Sequence, residues 1–272
     1  MSVKLFDSTK TLLGEGPRWS KELAALCWVD ILDNKVLVKS EHDVEAKLYL
    51  EFNAPSSITN TAGSTLEVVD AEGVWLLDYP TGQKTLKFSI PQGHSENRSN
   101  ESQRDPFGNL WIGRMNRNDA LRTGELLCIN PSGEISVEIN DMGIPNTLVW
   151  DEARGRMYFA DSSEGTIYMA PITNGKPDFG LREKFSQLDE KFGAPDGSAI
   201  THNGHLFNAR WGAGCVLEFD HSGQVIRSIE IPASQVTSCA LNSDESILYV
   251  TTASIGLDPK DELNGATFAV TL

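Results

Sequence analysis

Four polar side chains with oxygen donor atoms recur at one phase of a repeat along this chain of 272 residues: Glu15, Asn100, Asn146 and Asp196. Each of them precedes a bulky residue of a strand-like segment by 11 to 13 positions, so the four should meet at one place in the folded chain. Two carboxylates that face each other repel strongly unless a cation lies between them. The spacing therefore predicts a cation site built from oxygen ligands.

The repeat consists of six strand-like segments, each of which begins after a turn and carries a bulky residue near its front. These residues are spaced 40 to 49 positions apart and are Trp28, Val68, Trp111, Tyr158, Phe207 and Tyr249. A period of this length built from short strands is typical of a β-propeller with about one blade per repeat. We therefore expect an all-β fold, a six-bladed β-propeller with negligible helix, as a single domain over residues 1–272.

The innermost strand of each blade lines the axis of a propeller, which is why residues at one phase of the repeat should converge there. Ser56 and Ser238 occupy the same phase in the two remaining repeats. The segments 3–6 and 267–271 are both strand-like, and their pairing in one blade would close the ring and remove open sheet edges.

Composition excludes several classes of partner. The chain has 23 Lys and Arg residues against 38 Asp and Glu residues, a net charge of −15, which argues against nucleic acid and anionic membranes as partners. The chain opens with no basic segment followed by an apolar one, and no apolar run approaches the roughly 18 residues that span a bilayer. We expect a cytoplasmic protein. The four scattered cysteines form no metal-binding pattern and are expected to be buried and reduced: Cys27, Cys128, Cys215 and Cys239.

Four motifs carry a resemblance to a known family. They are GEGPRW at 14–19, NRSNESQRDPFGNLWIGRM at 97–115, IPNTLVW at 144–150 and APDGSA at 194–199. In this order and spacing they resemble the gluconolactonase, senescence marker protein and luciferin-regenerating enzyme family. The resemblance covers nearly the whole chain.

The resemblance implies a six-bladed propeller with one divalent cation on its axis, bound by Glu15, Asn146 and Asp196. It also implies that Arg98 and Asn100 contact the substrate. An all-oxygen ligand set with two carboxylates favours a hard cation, Ca²⁺, Mg²⁺ or Mn²⁺, and leaves Zn²⁺ possible.

Four residues depart from the family pattern. Ser102 stands where the family has glycine. Glu101, which we count with the substrate-binding candidates, stands where the family has Asp, and Thr147 stands where a glycine usually follows the metal-binding Asn. Arg114 replaces a small polar residue. These changes leave the implied metal ligands intact and put the identity of the substrate in doubt.

The chemistry implied is metal-dependent hydrolysis of a sugar-acid lactone, a small-molecule substrate. A cation would polarise the ester carbonyl, while Asp196, the candidate catalytic base as well as a ligand, would take a proton from the attacking water. Two alternatives remain open. One is a phosphotriesterase-like or aryl-esterase activity at the same site, and the other is a non-catalytic Ca²⁺-binding propeller.

Two further arginines suggest that the lactone carries an additional anionic group. Arg114 and Arg210 are candidate substrate-binding residues, with Arg18 as a third, because a guanidinium can hold a carboxylate, phosphate or sulfonate through two hydrogen bonds. The alternative is that these arginines form ordinary salt bridges with acidic neighbours. Among the histidines, His94 is the one expected to reach a site, since it lies just ahead of Arg98.

Overall fold

A computed structural model describes residues 1–90 and 96–272 of the chain. In chain order the strands are β1 (Ser2–Asp7), β2 (Gly14–Ser20), β3 (Ala25–Asp30), β4 (Lys35–Ser40), β5 (Lys47–Tyr49), β6 (Ser57–Ala62), β7 (Thr65–Val69), β8 (Gly73–Asp78), β9 (Lys84–Ser89), β10 (Asn97–Arg104), β11 (Leu110–Asn116), β12 (Gly124–Ile129), β13 (Ile135–Met142), β14 (Pro145–Asp151), β15 (Arg156–Asp161), β16 (Thr166–Thr173), β17 (Lys176–Pro177), β18 (Glu183–Gln187), β19 (Ala194–Ile200), β20 (Leu206–Trp211), β21 (Cys215–Phe219), β22 (Val225–Glu230), β23 (Val236–Leu241), β24 (Ile247–Thr252) and β25 (Thr267–Thr271). The helical segments of these residues are short 3-10 turns: Glu152–Arg154, Ser162–Glu164, Phe179–Leu181 and Glu190–Phe192. None is long and apolar enough to cross a bilayer.

The strands form six antiparallel sheets, which are the blades of a six-bladed β-propeller. Blades 1 to 3 are β2–β5, β6–β9 and β10–β13; blade 4 is β14–β17 with β18 paired to β16; blade 5 is β19–β22; and blade 6 is β23, β24, β25 and β1. The innermost strands contact one another in the order β2, β6, β10, β14, β19 and β23, and β23 returns to β2. This closed ring confirms the predicted fold.

The chain ends close the ring as predicted. β1 is the outermost strand of blade 6 and pairs with β25, with Val3 opposite Val270 and Lys4 opposite Ala269. The ammonium group of Lys39 in blade 1 fastens this strand from the side, because it donates to the carbonyl oxygen of Phe6 at 2.7 Å and pairs with the carboxylate of Asp7 at 3.0 Å.

The six bulky residues that define the repeat all lie on the second strand of a blade and are at most 1% exposed. They pack in apolar clusters on the blade faces, as Trp111 does beside Trp150 and Phe179. The four cysteines are also buried. Because these side chains fill the space between blades, the polar residues of the innermost strands are left to line the axis.

Candidate functional site

A cavity of about 200 Å³ lies on the axis at the end where the innermost strands begin, and it collects most of the predicted site residues. Its lining residues are Leu13, Glu15, Arg98, Asn100, Met115, Asp119, Ile144, Asn146, Ser162, Ala194, Asp196 and Trp211. Four of the six positions at the predicted phase of the repeat therefore meet here. Ser56 and Ser238 do not line this cavity.

The candidate ligands Glu15, Asn146 and Asp196 each lie at a bulge of an innermost strand. The pairing register shifts just after Glu15 in β2 and just after Asn146 in β14, and in β19 it shifts across Asp196, between Pro195 and Ser198. A bulge bends the strand and redirects the side chain, which here brings three ligand side chains into one cavity.

Aspartates at the ends of second strands hold the segments that lead into two of these innermost strands. Asp30 accepts the backbone N–H groups of Leu12 and Leu13 at 2.8 and 3.0 Å, ahead of Glu15. Asp161 likewise accepts those of Gly143 and Ile144 at 2.8 and 3.0 Å, ahead of Asn146. These bonds fix the backbone that leads into both candidate ligands.

The residue that follows each of the first two candidate ligands has left-handed backbone geometry. Gly16 has φ of 52°, and a Cβ atom there would lie 2.5 Å from the carbonyl oxygen of Ser56, so only glycine fits. Thr147 has φ of 56° although it is β-branched. Its buried hydroxyl donates to the carbonyl oxygen of Asp196 and lies 3.0 Å from the hydroxyl of Ser198. These contacts of the hydroxyl stabilise Thr147 in a left-handed backbone conformation that glycine adopts without steric strain.

The carboxyl groups of Glu15 and Asp196 are buried, and the nearest cationic side chains act on them from beyond salt-bridge distance: Arg98 on both, and Arg210 on Asp196. Burial raises the pKa of Glu15 well above its ordinary range, and the charges of Asp196 and Glu101 raise it further. Burial, followed by the charge of Glu101, likewise raises the pKa of Asp196. Within the described chain neither group forms a salt bridge, and Glu15 accepts one hydrogen bond, of 3.2 Å, from the N–H of Gly16. Two such groups in one cavity are suited to a bound cation.

The amide side chains beside these carboxylates are held by hydrogen bonds. The Oδ1 atom of Asn146 accepts a hydrogen bond of 3.2 Å from Nδ2 of Asn100. The Nδ2 group of Asn146 donates a hydrogen bond of 2.9 Å to the hydroxyl of Ser162. Arg98 donates Nη1 to the Oδ1 of Asn100 at 2.8 Å. The Oδ1 atom of Asn146 is thus oriented as an acceptor, the atom that an amide offers to a hard cation.

The donor set fits a hard divalent cation. It comprises two carboxylates and one amide oxygen, and no group of three or more His, Cys, Asp and Glu side chains is arranged around a metal site anywhere in the described ranges. Oxygen donors without sulfur or imidazole favour Ca²⁺, Mg²⁺ or Mn²⁺ over Zn²⁺.

Glu101 lies away from this cavity. Its side chain lines a separate space of about 20 Å³, further along the axis, together with Ser102, Ser198 and Ser238. Burial raises the pKa of Glu101 to about 7. A hydrogen bond from the N–H of Ser102 and the charge of Arg18 lower this pKa, but by less than burial raises it. The structure therefore places Glu101 behind the candidate ligands.

The arginines predicted to hold an anionic group face other partners. Arg114 is buried and pairs with the carboxylate of Glu125 at 3.1 Å. Arg210 donates to the carbonyl oxygens of Phe192 and Gly193 at 2.8 and 2.6 Å. Arg18, the third candidate, donates to the carbonyl oxygen of Ile58 at 2.8 Å and lines a third cavity, of about 400 Å³, where the innermost strands end. None of these arginines lines the cavity of the candidate ligands.

The neighbours of two of these arginines line the cavity instead. Met115 follows Arg114 and Trp211 follows Arg210, and successive side chains of a strand point to opposite faces. Strand alternation could have indicated both residues from the sequence. Asp119 lies in a loop after β11, and no sequence signal marks it. His94 lies outside the described residues.

Comparison with known proteins gives a consistent assignment. The family model for the SMP-30/gluconolactonase/LRE-like region matches residues 13–254. The chain is 30% identical over 258 residues to pentonolactonase XacC of Haloferax volcanii, covering 93% of this chain and 86% of the relative. It is 25% identical over 268 residues to a 6-deoxy-6-sulfogluconolactonase of Pseudomonas putida, covering 95% of this chain and 91% of the relative.

Among solved structures, the chain resembles the calcium-binding protein regucalcin of Agrobacterium tumefaciens. The TM-score is 0.91 at 29% identity, and the match covers 99% of this chain and 93% of that one. The family match spans the candidate ligands as well as Arg98 and Asn100. The chain belongs to the SMP-30/gluconolactonase/LRE-like family.

Proposed function

We propose that this protein is a lactonase that hydrolyses a sugar lactone to the open-chain sugar acid with the help of one divalent cation. The observation that carries the proposal is the meeting of Glu15, Asn146 and Asp196 in one cavity, next to Arg98 and Asn100. Relatives along nearly the full length of the chain act on sugar lactones, and a structural relative binds calcium.

In this proposal Glu15, Asn146 and Asp196 hold the cation. When bound, the cation supplies Lewis-acid polarisation of the lactone carbonyl. Ca²⁺ is our first choice, because the donors are all oxygen atoms and the regucalcin relative binds calcium.

Proton transfer and substrate orientation are carried out by side chains of the cavity. Asp196 accepts a proton from the attacking water, and a positioned base of this kind contributes roughly 10²- to 10⁴-fold to the rate. Arg98, whose Nη1 is fixed by the Oδ1 of Asn100, orients the lactone from the side of blade 3. The water oxygen bonds to the carbonyl carbon, the ring C–O bond breaks, and the ring oxygen leaves as a hydroxyl after it takes up the proton that Asp196 accepted from the water.

The cavity favours a neutral lactone over one with a further anionic group. Arg98 is the guanidinium among the described lining residues, whereas Glu15, Asp119 and Asp196 are acidic. A divalent cation and Arg98 together balance these three carboxylates, so the lining residues themselves offer no surplus of positive charge for an anion, and Arg210, whose charge acts on Asp196, lies outside the lining.

The test is a pH-stat screen of neutral aldonolactones of five- and six-membered rings, with the protein as purified, after chelation, and after Ca²⁺ is restored. We expect hydrolysis that chelation abolishes and Ca²⁺ restores. Asp196→Ala should lose both Ca²⁺ binding and turnover. Full activity after exhaustive chelation would contradict the metal-dependent reaction.

The same screen separates the two alternatives. Turnover of activated aryl esters or phosphotriesters without turnover of lactones would indicate the esterase function. Ca²⁺ binding without turnover of any ester would indicate a non-catalytic propeller.

A further inference from the structure

The backbone just ahead of Glu15 is held by a side chain of the neighbouring blade. Thr237, on the innermost strand of blade 6, donates its hydroxyl to the carbonyl oxygen of Gly14 in blade 1. That carbonyl belongs to the same planar peptide unit as the backbone nitrogen of Glu15, so the bond restricts the position of the ligand residue.

The other two candidate ligands have the same arrangement. Asn100 in blade 3 donates Nδ2 to the carbonyl oxygen of Pro145 at 3.1 Å, directly ahead of Asn146. Ser162 in blade 4 donates its hydroxyl to the carbonyl oxygen of Pro195 at 2.6 Å, directly ahead of Asp196. In all three cases the donor comes from the blade that precedes the ligand around the ring.

We propose that these three hydrogen bonds form an inter-blade clamp that sets the spacing of the ligands, and that Thr237 is a positioning residue for the metal site. The inference rests on the proposed function, since it deepens the account of that site. In the described part of the chain no ladder joins neighbouring blades, although isolated backbone bridges do, such as that between Leu13 of blade 1 and Ala253 of blade 6. The distance between ligands on different blades therefore also depends on side-chain contacts such as these.

Thr237 is the member of the clamp whose substitution tests the positioning of the ligands without altering the cavity lining. Its side chain is fully buried and does not line the ligand cavity, whereas Asn100 and Ser162 do. The hydroxyl of Thr237 also lies 2.9 Å from the hydroxyl of Thr251, and this second contact helps to fix the side-chain rotamer of Thr237.

Thr252 offers a matched control on the neighbouring strand. It is equally buried, and its hydroxyl donates to the carbonyl oxygen of Ala266 at 2.6 Å, within blade 6 and next to no candidate ligand. The same hydroxyl accepts the N–H of Gly265 at 3.0 Å, so Thr252→Val removes two buried hydrogen bonds and none of the bonds of the clamp.

The experiment measures the dissociation constant for Ca²⁺ alone, by calorimetry on chelated and then desalted protein, for the parent, Thr237→Val, Thr237→Ser and Thr252→Val. We expect Thr237→Val to weaken Ca²⁺ binding about 10-fold, the lower end of the effect of losing a residue that orients metal ligands. Thr237→Ser keeps the donor and should stay within about threefold of the parent. Thr252→Val should lower the melting temperature and leave Ca²⁺ affinity within about twofold.

Three outcomes would overturn the inference. Thr237→Val could bind Ca²⁺ as tightly as the parent, Thr237→Ser could fail to restore affinity, or Thr252→Val could weaken binding as much as Thr237→Val. If valine prevents folding, Thr237→Ala removes the same hydroxyl and should give the same loss. A parent protein that binds no divalent cation would contradict the proposed metal site itself, which separates the two failures.

Discussion

At the scale of single residues, the charges around the ligand cavity determine which substrate it can accept. Arg98 faces Glu15, Asp119 and Asp196. Arg114 pairs with Glu125, and Arg210 donates to backbone carbonyls outside the cavity lining while its charge acts on Asp196. Substrate preference should therefore depend on Arg98 and the cation rather than on the other arginines.

The first prediction concerns that preference. We expect neutral aldonolactones to be turned over with a higher kcat/KM than lactones that bear a terminal carboxylate, phosphate or sulfonate. Arg98→Met should lower kcat/KM about 100-fold with Ca²⁺ affinity almost unchanged, because Arg98 orients substrate and is not a proposed ligand. The measurement is steady-state kinetics on paired lactones.

Arg114→Met is the control for this prediction. It should lower stability, since it leaves Glu125 without its partner, and should not change the preference between neutral and anionic lactones. A parent protein that prefers the anionic lactone, together with loss of that preference in Arg114→Met, would support the hypothesis of an anionic substrate.

The second prediction concerns Glu101. Its pKa is about 7 in the folded protein, against about 4.3 in an unfolded chain, so the folded state binds the proton more tightly. The free energy of unfolding of the metal-free protein should therefore fall as pH rises from about 4 through about 7. Glu15 and Asp196, whose pKa values are also raised, act in the same direction.

Glu101→Gln should reduce this loss of stability and make the metal-free protein more stable than the parent at pH 8. The measurement is urea unfolding of metal-free protein at a series of pH values. Glu45→Gln, at an exposed position, is the control and should leave the pH dependence unchanged. Identical pH profiles for Glu101→Gln and the parent would contradict the effect of burial on Glu101.

At the scale of secondary-structure elements, the position of β1 is set by more than its ladder with β25. Lys39 lies on β4, and its ammonium reaches β1 from blade 1 to pair with Asp7; both side chains are less than 10% exposed. A buried ion pair contributes most visibly when one partner is removed, because the other charge is left without compensation.

The third prediction follows from this pair. Lys39→Met should lower the free energy of unfolding by about 3 kcal/mol. Adding Asp7→Asn should recover part of the loss, because the unpaired charge is then removed. Lys35→Met, which breaks the more exposed pair with Asp33, should cost less than about 1 kcal/mol. Denaturant unfolding measures all four proteins, and a double variant no more stable than Lys39→Met would contradict the buried pair.

At the scale of the whole molecule, the candidate ligands connect distant parts of the ring. Glu15 lies in blade 1, Asn146 in blade 4 and Asp196 in blade 5. A cation that binds all three is therefore bound only by the folded propeller, and its binding free energy adds to the stability of the fold.

The fourth prediction is that Ca²⁺ raises the melting temperature. At a free concentration of 100 times the dissociation constant, binding adds about 2.7 kcal/mol, which corresponds to about 5 °C for a chain of this length. Glu15→Gln should abolish most of this increase, and Glu45→Gln should retain it. Calorimetric scans with Ca²⁺ and with chelator measure the effect, and an equal increase in Glu15→Gln would argue against Glu15 as a ligand.

The repeat was readable from the sequence because each blade obeys the same local rules. The period of 40 to 49 residues and the six bulky residues reflect one arrangement of strands and turns repeated around the ring, and the structure confirms both. The recurring phase also indicated four residues of the cavity lining, because equivalent positions of innermost strands face the same axis. The resemblance to the family added Arg98 to this set.

Contacts between blades could not be read in the same way. Asp119 and Ser162 reach the cavity from segments outside the innermost strands, and Arg210 is turned toward the loop ahead of β19. Thr237 lies 223 residues from the carbonyl that it holds. Local periodicity determines which residues face the axis, whereas packing between neighbouring blades decides which of them meet and which arginines are already engaged. These contacts between blades form only when the ring closes, and so they are determined by the tertiary structure and not by the sequence pattern of any one blade.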